Sequence, residues 1–417
     1  MKKLTLVATA VMGLLSTTTA MAQSTVTIYG ILDGGYNHVS GLKQGSVSTI
    51  ASGIMDGSRF GFRGTEDIGG GYKAIFTLEN RFELDTGSVS NRPNSGSQLP
   101  DRLSTAALLG LPAALQPAVS AVGANIGSTV GVNLAGNLFD RQAFAGLITP
   151  IGAFTLGRQY TPGYLLSATF DASQTQSSLA VGQVASFPPA VDIRLSNTLQ
   201  YGIQTGGVKA ALMYGAGEVA GSSNNSAGRF WGGMVIYTGN GFSLGYGHNT
   251  KNNELGQKSL TNDILGATVD VGPGTLYGQY ATIKDENPTG LSTIAAGLIP
   301  VVGATNAALV QNAFINGFKQ DATLAHIGYK LTSGAHTVVV AYNRLNDKRA
   351  ANADTNSYGA TYAYALSKRT NLNAVLTRFN NKGSGQAAPG QAGFLGGVTS
   401  AAGVGSTNIA FGINHKF

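Results

Sequence analysis

Bulky apolar residues alternate with small or polar residues in about sixteen segments of the chain, each about ten residues long. In SRFGFRGTED, Phe60 and Phe62 lie on one side, and Arg59, Gly61 and Arg63 lie on the other. A period of two is the signature of a β-strand with two different faces. The pattern therefore predicts strands that carry aromatic side chains on one face and arginine on the other.

The next segment, GYKAIFTLENRFE, repeats this arrangement. Phe76 and Leu78 share a face, and Thr77, Glu79 and Arg81 share the opposite one. By the same parity, Asp33 of the first segment lies on its polar face. The predicted strands are 25–36, 58–67, 71–83, 139–148, 153–160, 192–204, 208–217, 230–238, 242–250, 261–271, 275–283, 321–331, 336–346, 356–366, 371–379 and 407–417.

Links of two kinds join these strands. Short turns such as 238–241, 272–274 and 333–334 alternate with long links near 85–138, 161–191, 286–318 and 381–406. Short turns at one rim and long loops at the other are typical of outer-membrane barrels. The predicted fold class is all-β: one transmembrane antiparallel β-barrel domain of about sixteen strands, over residues 23–417.

The chain ends in the alternating segment NIAFGINHKF, with Ile409, Phe411, Ile413 and Phe417 on one face. In a soluble sheet this final strand would leave an apolar edge in water. A closed barrel in lipid has no edge, and hydrocarbon covers its outer face. We therefore expect Phe411 and Phe417 to belong to the last strand at the membrane interface, and Trp231 to be interfacial as well.

The N-terminus is typical of a secretory signal peptide. Lys2 and Lys3 precede an apolar run over 4–15 and the small-residue pattern Ala20-Met21-Ala22, so cleavage is expected before Gln23. We expect no later apolar stretch to have the length of a spanning helix. The nearest candidate, 103–127, is interrupted by two prolines. Removal of residues 1–22 leaves 25 basic and 20 acidic residues, a formal charge of +5.

Composition and motifs argue against an enzyme. The chain has no cysteine, and its five histidines are scattered without the spacing of a metal site. The run GAGEVAG at 215–221 is one residue too long for a dinucleotide fingerprint and follows a strand without opening a helix. We expect no catalytic residue, no metal and no cofactor.

Several motifs resemble one known family. STVTIYGILDGGY, SRFGFRGTEDIGGGYKAIFTLEN, FDRQAFAGL, FTLGRQYTP and the final HKF are similar to the general diffusion porins of Gram-negative bacteria, especially the Burkholderia and Neisseria type. The match covers most of the mature chain, but the segments 103–136 and 287–317 are longer or more apolar than expected. The resemblance implies an outer-membrane homotrimer, in contact with lipid and not nucleic acid, whose subunits pass ions and small hydrophilic solutes by passive diffusion.

The resemblance also implies a constriction made by the third long loop, 161–191. That loop would bring Asp171, with Asp192 at its exit, towards a basic wall. Arg158 shares the parity of the lipid-facing Phe154 and Leu156, but it lies at a strand end, where a bulge can redirect a side chain. The resemblance places Arg59 and Arg141 in the wall, with Arg63, Arg81, Arg158 and Arg194 as neighbours, while parity adds the opposing acids Glu79 and Asp33.

These arginines and the charge of +5 indicate a mild anion preference, because rings of like charge set the ion preference of a pore. Two other classes of protein stay open at this point. One is an outer-membrane barrel that acts as a loop-based adhesin or receptor, or as a barrel enzyme. The other is an exported soluble binding protein whose alternating aromatic faces are buried in a β-sandwich.

Overall fold

The computed structural model describes residues 25–90, 98–129, 133–174, 192–389 and 398–417. The predicted signal peptide, 1–22, and parts of the long links 85–138, 161–191 and 381–406 lie outside these residues. One antiparallel sheet contains seventeen strand segments. They are β1 Thr25–Leu42, β2 Gly45–Ser52, β3 Arg59–Gly69, β4 Tyr72–Arg81, β5 Gln142–Thr149, β6 Gly152–Tyr160, β7 Arg194–Thr205, β8 Val208–Gly215, β9 Phe230–Thr238, β10 Phe242–Asn252, β11 Lys258–Val271, β12 Gly274–Asp285, β13 Gln320–Ser333, β14 His336–Asp347, β15 Thr355–Ala365, β16 Thr370–Asn381 and β17 Ser406–Lys416.

The seventeen segments form sixteen transmembrane strands, because two of the segments belong to one strand. The long strand β1 pairs with β2 along one part of its length, where Gly34 lies opposite Ser52. It pairs with β3 along the next part, where Ile31 lies opposite Arg59. Segments β2 and β3 therefore form one transmembrane strand, which residues 53–58 interrupt. The predicted sixteen-strand barrel is confirmed, and each predicted strand overlaps an observed one, whereas β2 was not predicted.

The last strand closes the barrel on the first. β17 runs antiparallel to β1, with Phe411 opposite Tyr36. Gly30 and Phe417 exchange two backbone hydrogen bonds of 3.1 Å each. A side chain at position 30 would overlap the ring of Phe417, which covers this glycine. The terminal alternation noted in the sequence thus forms the seam of the barrel.

The two faces of the wall are the reverse of those of a soluble protein. Outward residues are large and apolar, and Leu156 and Phe411 expose 62% and 55% of their surface. Inward residues such as Gln142, Gln200 and Asn408 are polar and buried. In a membrane, the hydrocarbon of the lipid covers the apolar outer face of such a wall, and water in the lumen hydrates the polar inner face. The β-sandwich alternative is therefore wrong, because it requires the apolar faces to be buried against each other.

The long links on one rim carry the helices. The link after β4 contains α1 Asp101–Ser104 and α2 Gln116–Ser128, with short 3₁₀ turns at Ala107–Leu109 and Ala113–Leu115. The link after β6 contains α3 Pro162–Phe170, and the link after β12 contains α4 Ile294–Phe318.

Helix α4 corrects one expectation. Its 25 residues are long and apolar enough, by length and composition, to cross a membrane, although no such stretch was expected after the signal peptide. The helix breaks at Gly303, where φ is 77°. It also connects paired strand ends, since Asp285 lies opposite Gln320. A link whose two ends lie at the same rim cannot cross the membrane once, so α4 is a loop helix.

The seam gives a stability prediction for Gly35. A Cβ at this position would lie 2.5 Å from Gly412 Cα and would overlap the carbonyl oxygen of Phe411. Backbone atoms cannot move aside as a flexible side chain can, so Gly35→Val should lower the free energy of unfolding by about 3 kcal/mol. The measurement is the denaturant midpoint of the barrel in detergent. Gly278→Val is the matched control, because nothing lies within 4 Å of a Cβ there; equal midpoints for the two variants would contradict the prediction.

Candidate pore constriction

Helix α3 leaves the wall after β6 and lies inside the barrel. Thr161 caps its N-terminus by accepting a hydrogen bond from the backbone N–H of Tyr164. The side chain of Asn249 on β10 holds the same turn: its Oδ1 accepts from Gly163 N at 3.0 Å, and its Nδ2 donates to Thr161 Oγ1 at 3.1 Å. The start of α3 is therefore fixed to β10 by side-chain hydrogen bonds.

The apolar side of α3 packs on a glycine-lined part of the inner wall, against β8 to β12. Leu166 and Phe170 are fully buried there. A Cβ at Gly245 would lie 2.6 Å from the ring of Phe170, and one at Gly266 would overlap the same ring. Glycine at these inward positions lets an apolar helix approach a wall that is otherwise polar.

The C-terminal end of α3 is tied to β13. The backbone N–H of Ala172 donates to His326 Nε2 at 3.1 Å. Asp171, predicted to face the basic wall, is buried, and its Oδ1 accepts from the backbone and the hydroxyl of Ser173 at 2.8 Å each. Ser173 and Gln174 are the pore-loop residues that line the described cavity. The remainder of the predicted loop, 175–191, lies outside the described residues.

Three of the predicted residues meet around the ring of Tyr160. Glu79 Oε1 accepts from Arg141 Nε at 2.7 Å, and both side chains are buried. The hydroxyl of Tyr160 accepts from Arg141 Nη2 at 2.9 Å and from Arg194 Nη2 at 2.8 Å. Tyr29 donates to Glu79 Oε2 at 3.1 Å. Burial acts to lower the pKa of Arg141, but Tyr160 and Glu79 raise it above its ordinary value, so the guanidinium stays charged.

The other predicted arginines have partners of their own. Arg59 Nη2 lies 2.9 Å from Asp56 Oδ1, and Arg81 pairs with Glu83. The guanidinium of Arg63 lies over the ring of Tyr29, 5.0 Å from its centroid. The register between β6 and β7 shifts beside Arg158, whose Nη1 donates to Ser196 at 3.1 Å. Each of these four arginines thus has a contact of its own in the wall.

The structure places Asp33 differently from the prediction. Its carboxylate is fully buried beneath residues 53–58. It accepts backbone hydrogen bonds from Ile54 at 2.7 Å and from Asp56 at 3.0 Å, and the side chain of Asn414 donates to it at 2.7 Å. Asp33 therefore holds the interruption between β2 and β3 in place and joins it to β17. The alternation along β1 predicted correctly that Asp33 lies on the inner face, but it did not predict these hydrogen-bond partners.

The lumen contains a cavity of about 680 Å³. Its wall comes from β1, β3, β4, β6 and β13 to β17, and its other side from the end of the pore loop. The ionisable side chains that line it, apart from tyrosines, are Arg59, Arg63, Lys330, Lys416, Asp56 and Glu79.

The balance of these charges is positive. Both acids are paired, Asp56 with Arg59 and Glu79 with Arg141. No carboxylate in the described part of the chain lies within ion-pair distance of the other three cations, Arg63, Lys330 and Lys416.

Sequence reasoning missed Tyr160, Lys330 and Lys416. Lys330 alternates with the outward Ile327 and Tyr329, and Lys416 alternates with the outward Phe411 and Phe417, so parity was a sufficient signal for both lysines. Tyr160 carried no such signal, because its role depends on two arginines brought from other strands.

The predicted interface residues lie on the outer surface. Trp231 is exposed at the end of β9 nearest the long links, with its ring 4.5 Å from that of Tyr214. Phe411 and Phe417 are exposed on β17 and directly after it. Trp231 and Phe417 lie near strand ends, where aromatic girdles occur, whereas Phe411 lies at the middle of β17 and so away from both strand ends.

The packing of α3 against the inner wall gives a prediction for conductance. Gly266→Val should push Phe170 off the inner wall and move α3 into the open lumen, because the added side chain would occupy the position of that ring. Single-channel conductance in a planar bilayer should fall. Gly278→Val on the adjacent strand is the control and should conduct as the wild type does. Unchanged conductance in the folded Gly266→Val protein would mean that α3 does not narrow the pore.

Comparisons with known proteins agree with this architecture. A sequence model of a family described as Gram-negative porin matches residues 8–384. An outer membrane porin protein of Delftia acidovorans is 27% identical over 95% of both chains. Another, from Bordetella pertussis, is 26% identical over 85% of this chain and 89% of its own. The solved structure of an anion-selective porin from Comamonas acidovorans superposes with a TM-score of 0.68 at 24% identity, covering 95% of this chain and all of that one.

Proposed function

This chain belongs to the Gram-negative porin family, and on that premise we propose that its channel passes small hydrophilic solutes with a preference for anions. It is an outer-membrane porin, a channel rather than an enzyme. The finer properties, which are ion preference, subunit number and the residues that act as the filter, are proposed here.

The observation that carries the anion preference is the charge of the cavity. Arg63, Lys330 and Lys416 face the lumen without an ion-pair partner in the described part of the chain, while both lining acids are neutralised by arginine. Unpaired cations on a narrow wall raise the local concentration of anions and exclude cations. Arginine remains charged at any physiological pH. The anion-selective porin of similar fold supports the same preference.

The nine residues predicted from the sequence thus take different proposed roles. Arg63 acts directly on passing ions, together with Lys330 and Lys416. Arg59, Arg141 and Glu79 set the shape of the wall, since they are held in ion pairs. Arg81, Arg158, Arg194, Asp171 and Asp33 support the wall and the pore loop.

We further propose that residues 1–22 are removed on export and that the mature domain, 23–417, assembles as a homotrimer. The signal pattern of the N-terminus and the resemblance to trimeric porins support these two points. Native mass spectrometry of protein extracted from outer membranes tests both at once. The expected mass is that of three chains beginning at Gln23, and a monomer or an intact N-terminus would reject the corresponding point.

The anion preference is tested by the zero-current potential across a planar bilayer under a salt gradient. Replacing both Arg63 and Lys416 with alanine should move this potential towards zero, because two of the three unpaired cations are lost. Lys368→Ala, which removes one positive charge from an exposed turn outside the cavity, is the control and should leave the potential unchanged. A double variant that keeps the wild-type potential would place the filter elsewhere.

The preference should also depend on ionic strength. Since the Debye length falls from about 30 Å at 0.01 M to about 3 Å at 1 M salt, screening should weaken the effect of the three cations. The anion-to-cation permeability ratio should therefore be larger at low salt for the wild type. The Arg63→Ala, Lys416→Ala protein should show a smaller dependence, and an equal dependence would contradict the assignment.

A further inference from the structure

Two long uncharged insertions lie on opposite sides of the barrel mouth. One is in the link between β4 and β5, and the other is in the link between β12 and β13. Residues 103–139 and 287–318 contain no Asp, Glu, Lys or Arg. Because the sixteen transmembrane strands follow one another as hairpins, the two links are eight strands apart in either direction around the barrel. Loops at such positions can touch only if they cross above the lumen.

The two insertions do touch. Leu103, Val119 and Val122 of the first insertion share one buried apolar cluster with Val310 and Phe314 of the second. Arg102 Nη1 donates to the carbonyl oxygen of Gly317 at 2.8 Å, which adds a polar contact at the edge of this cluster. We name residues 98–129 and 294–318 together the cap.

Neighbouring loops hold the cap in position. Asp101 pairs with Lys43, between β1 and β2, at 2.8 Å. Its backbone N–H donates to Gln386 Oε1, in the link after β16, at 2.6 Å. Arg349, in the link after β14, donates to Gly317 O at 3.3 Å. The cap is therefore fastened to the links between β1 and β2, between β14 and β15, and between β16 and β17.

These strands bound the side of the barrel that is open. Helix α3 fills the side formed by β8 to β12, and the cavity of about 680 Å³ is lined chiefly by β1, β3, β4 and β13 to β17. The links that anchor the cap thus rise from the same part of the rim. The cap lies in the path that a solute takes from the long-loop side to the constriction.

We propose that the cap is a second selectivity element, which limits the size of the solutes that reach the constriction. It rests on the proposed channel function. Because the two insertions carry no charge beyond the Asp101 and Arg102 anchors, the cap discriminates by size and not by the sign of a charge. The unpaired cations of the cavity set the ion preference separately. Size limit and ion preference are therefore separable properties of this channel.

The experiment measures swelling rates of proteoliposomes in a monosaccharide, a disaccharide and a trisaccharide, together with the zero-current potential. In one variant a short glycine–serine link replaces residues 294–318, which is feasible because Asp285 and Gln320 are paired neighbours. A second variant, Phe314→Asp, places a carboxylate in the fully buried centre of the cluster. Val301→Asp makes an equivalent change on the same helix at a side chain that is 77% exposed.

The deletion and Phe314→Asp should raise the trisaccharide-to-monosaccharide rate ratio, and Val301→Asp should keep the wild-type ratio. The zero-current potential should stay the same in all four proteins. A wild-type ratio in the folded deletion variant would overturn the proposal, as would a ratio that rises equally in Val301→Asp. Absence of any channel in the wild type would instead reject the proposed function, so the two failures are distinguishable.

Discussion

Backbone hydrogen bonding inside hydrocarbon is the constraint on which the rest of the structure depends. No water is present at the bilayer centre to pair with a free N–H or C=O, so a sheet can cross only if it closes. The pairing of β17 with β1 provides that closure, and the two backbone hydrogen bonds between Gly30 and Phe417 complete this pairing at its end. Closure also brings Asn414 of the last strand to the carboxylate of Asp33 in the first.

Closure in lipid also turns the usual distribution of residues inside out. Polar side chains face the lumen, so an apolar loop helix has no ready place to bind there. Gly245 and Gly266 provide such a place, because they have no side chain and leave backbone and neighbouring apolar atoms for Phe170 to pack against. Helix α3 therefore fills one side of the lumen and leaves the other open. The asymmetry of the pore follows from where the inward glycines lie.

The open side combines neutralised and unpaired charges. A buried arginine without a partner is costly, and Arg141 accordingly pairs with Glu79 and Tyr160. Cations that border the open lumen can be hydrated, so Arg63 and Lys416 need no such partner. Above them, the cap makes its contacts through apolar packing and four peripheral polar contacts. The proposed charge selection and the proposed size selection thus occupy two different levels of one channel.

The sequence by itself determined the barrel: the period of two located all sixteen predicted strands, and the terminal Phe417 indicated lipid on the outer face. These features are local, because the face of a strand residue depends only on its parity and on its solvent. The tertiary structure alone decided which arginines are neutralised, since Glu79 and Arg141 are 62 positions apart. It also decided that Asp33 supports residues 53–58, that Asp171 is buried, and that α4 packs on α2 as a cap. Each of these depends on contacts between distant segments, for which alternation carries no information.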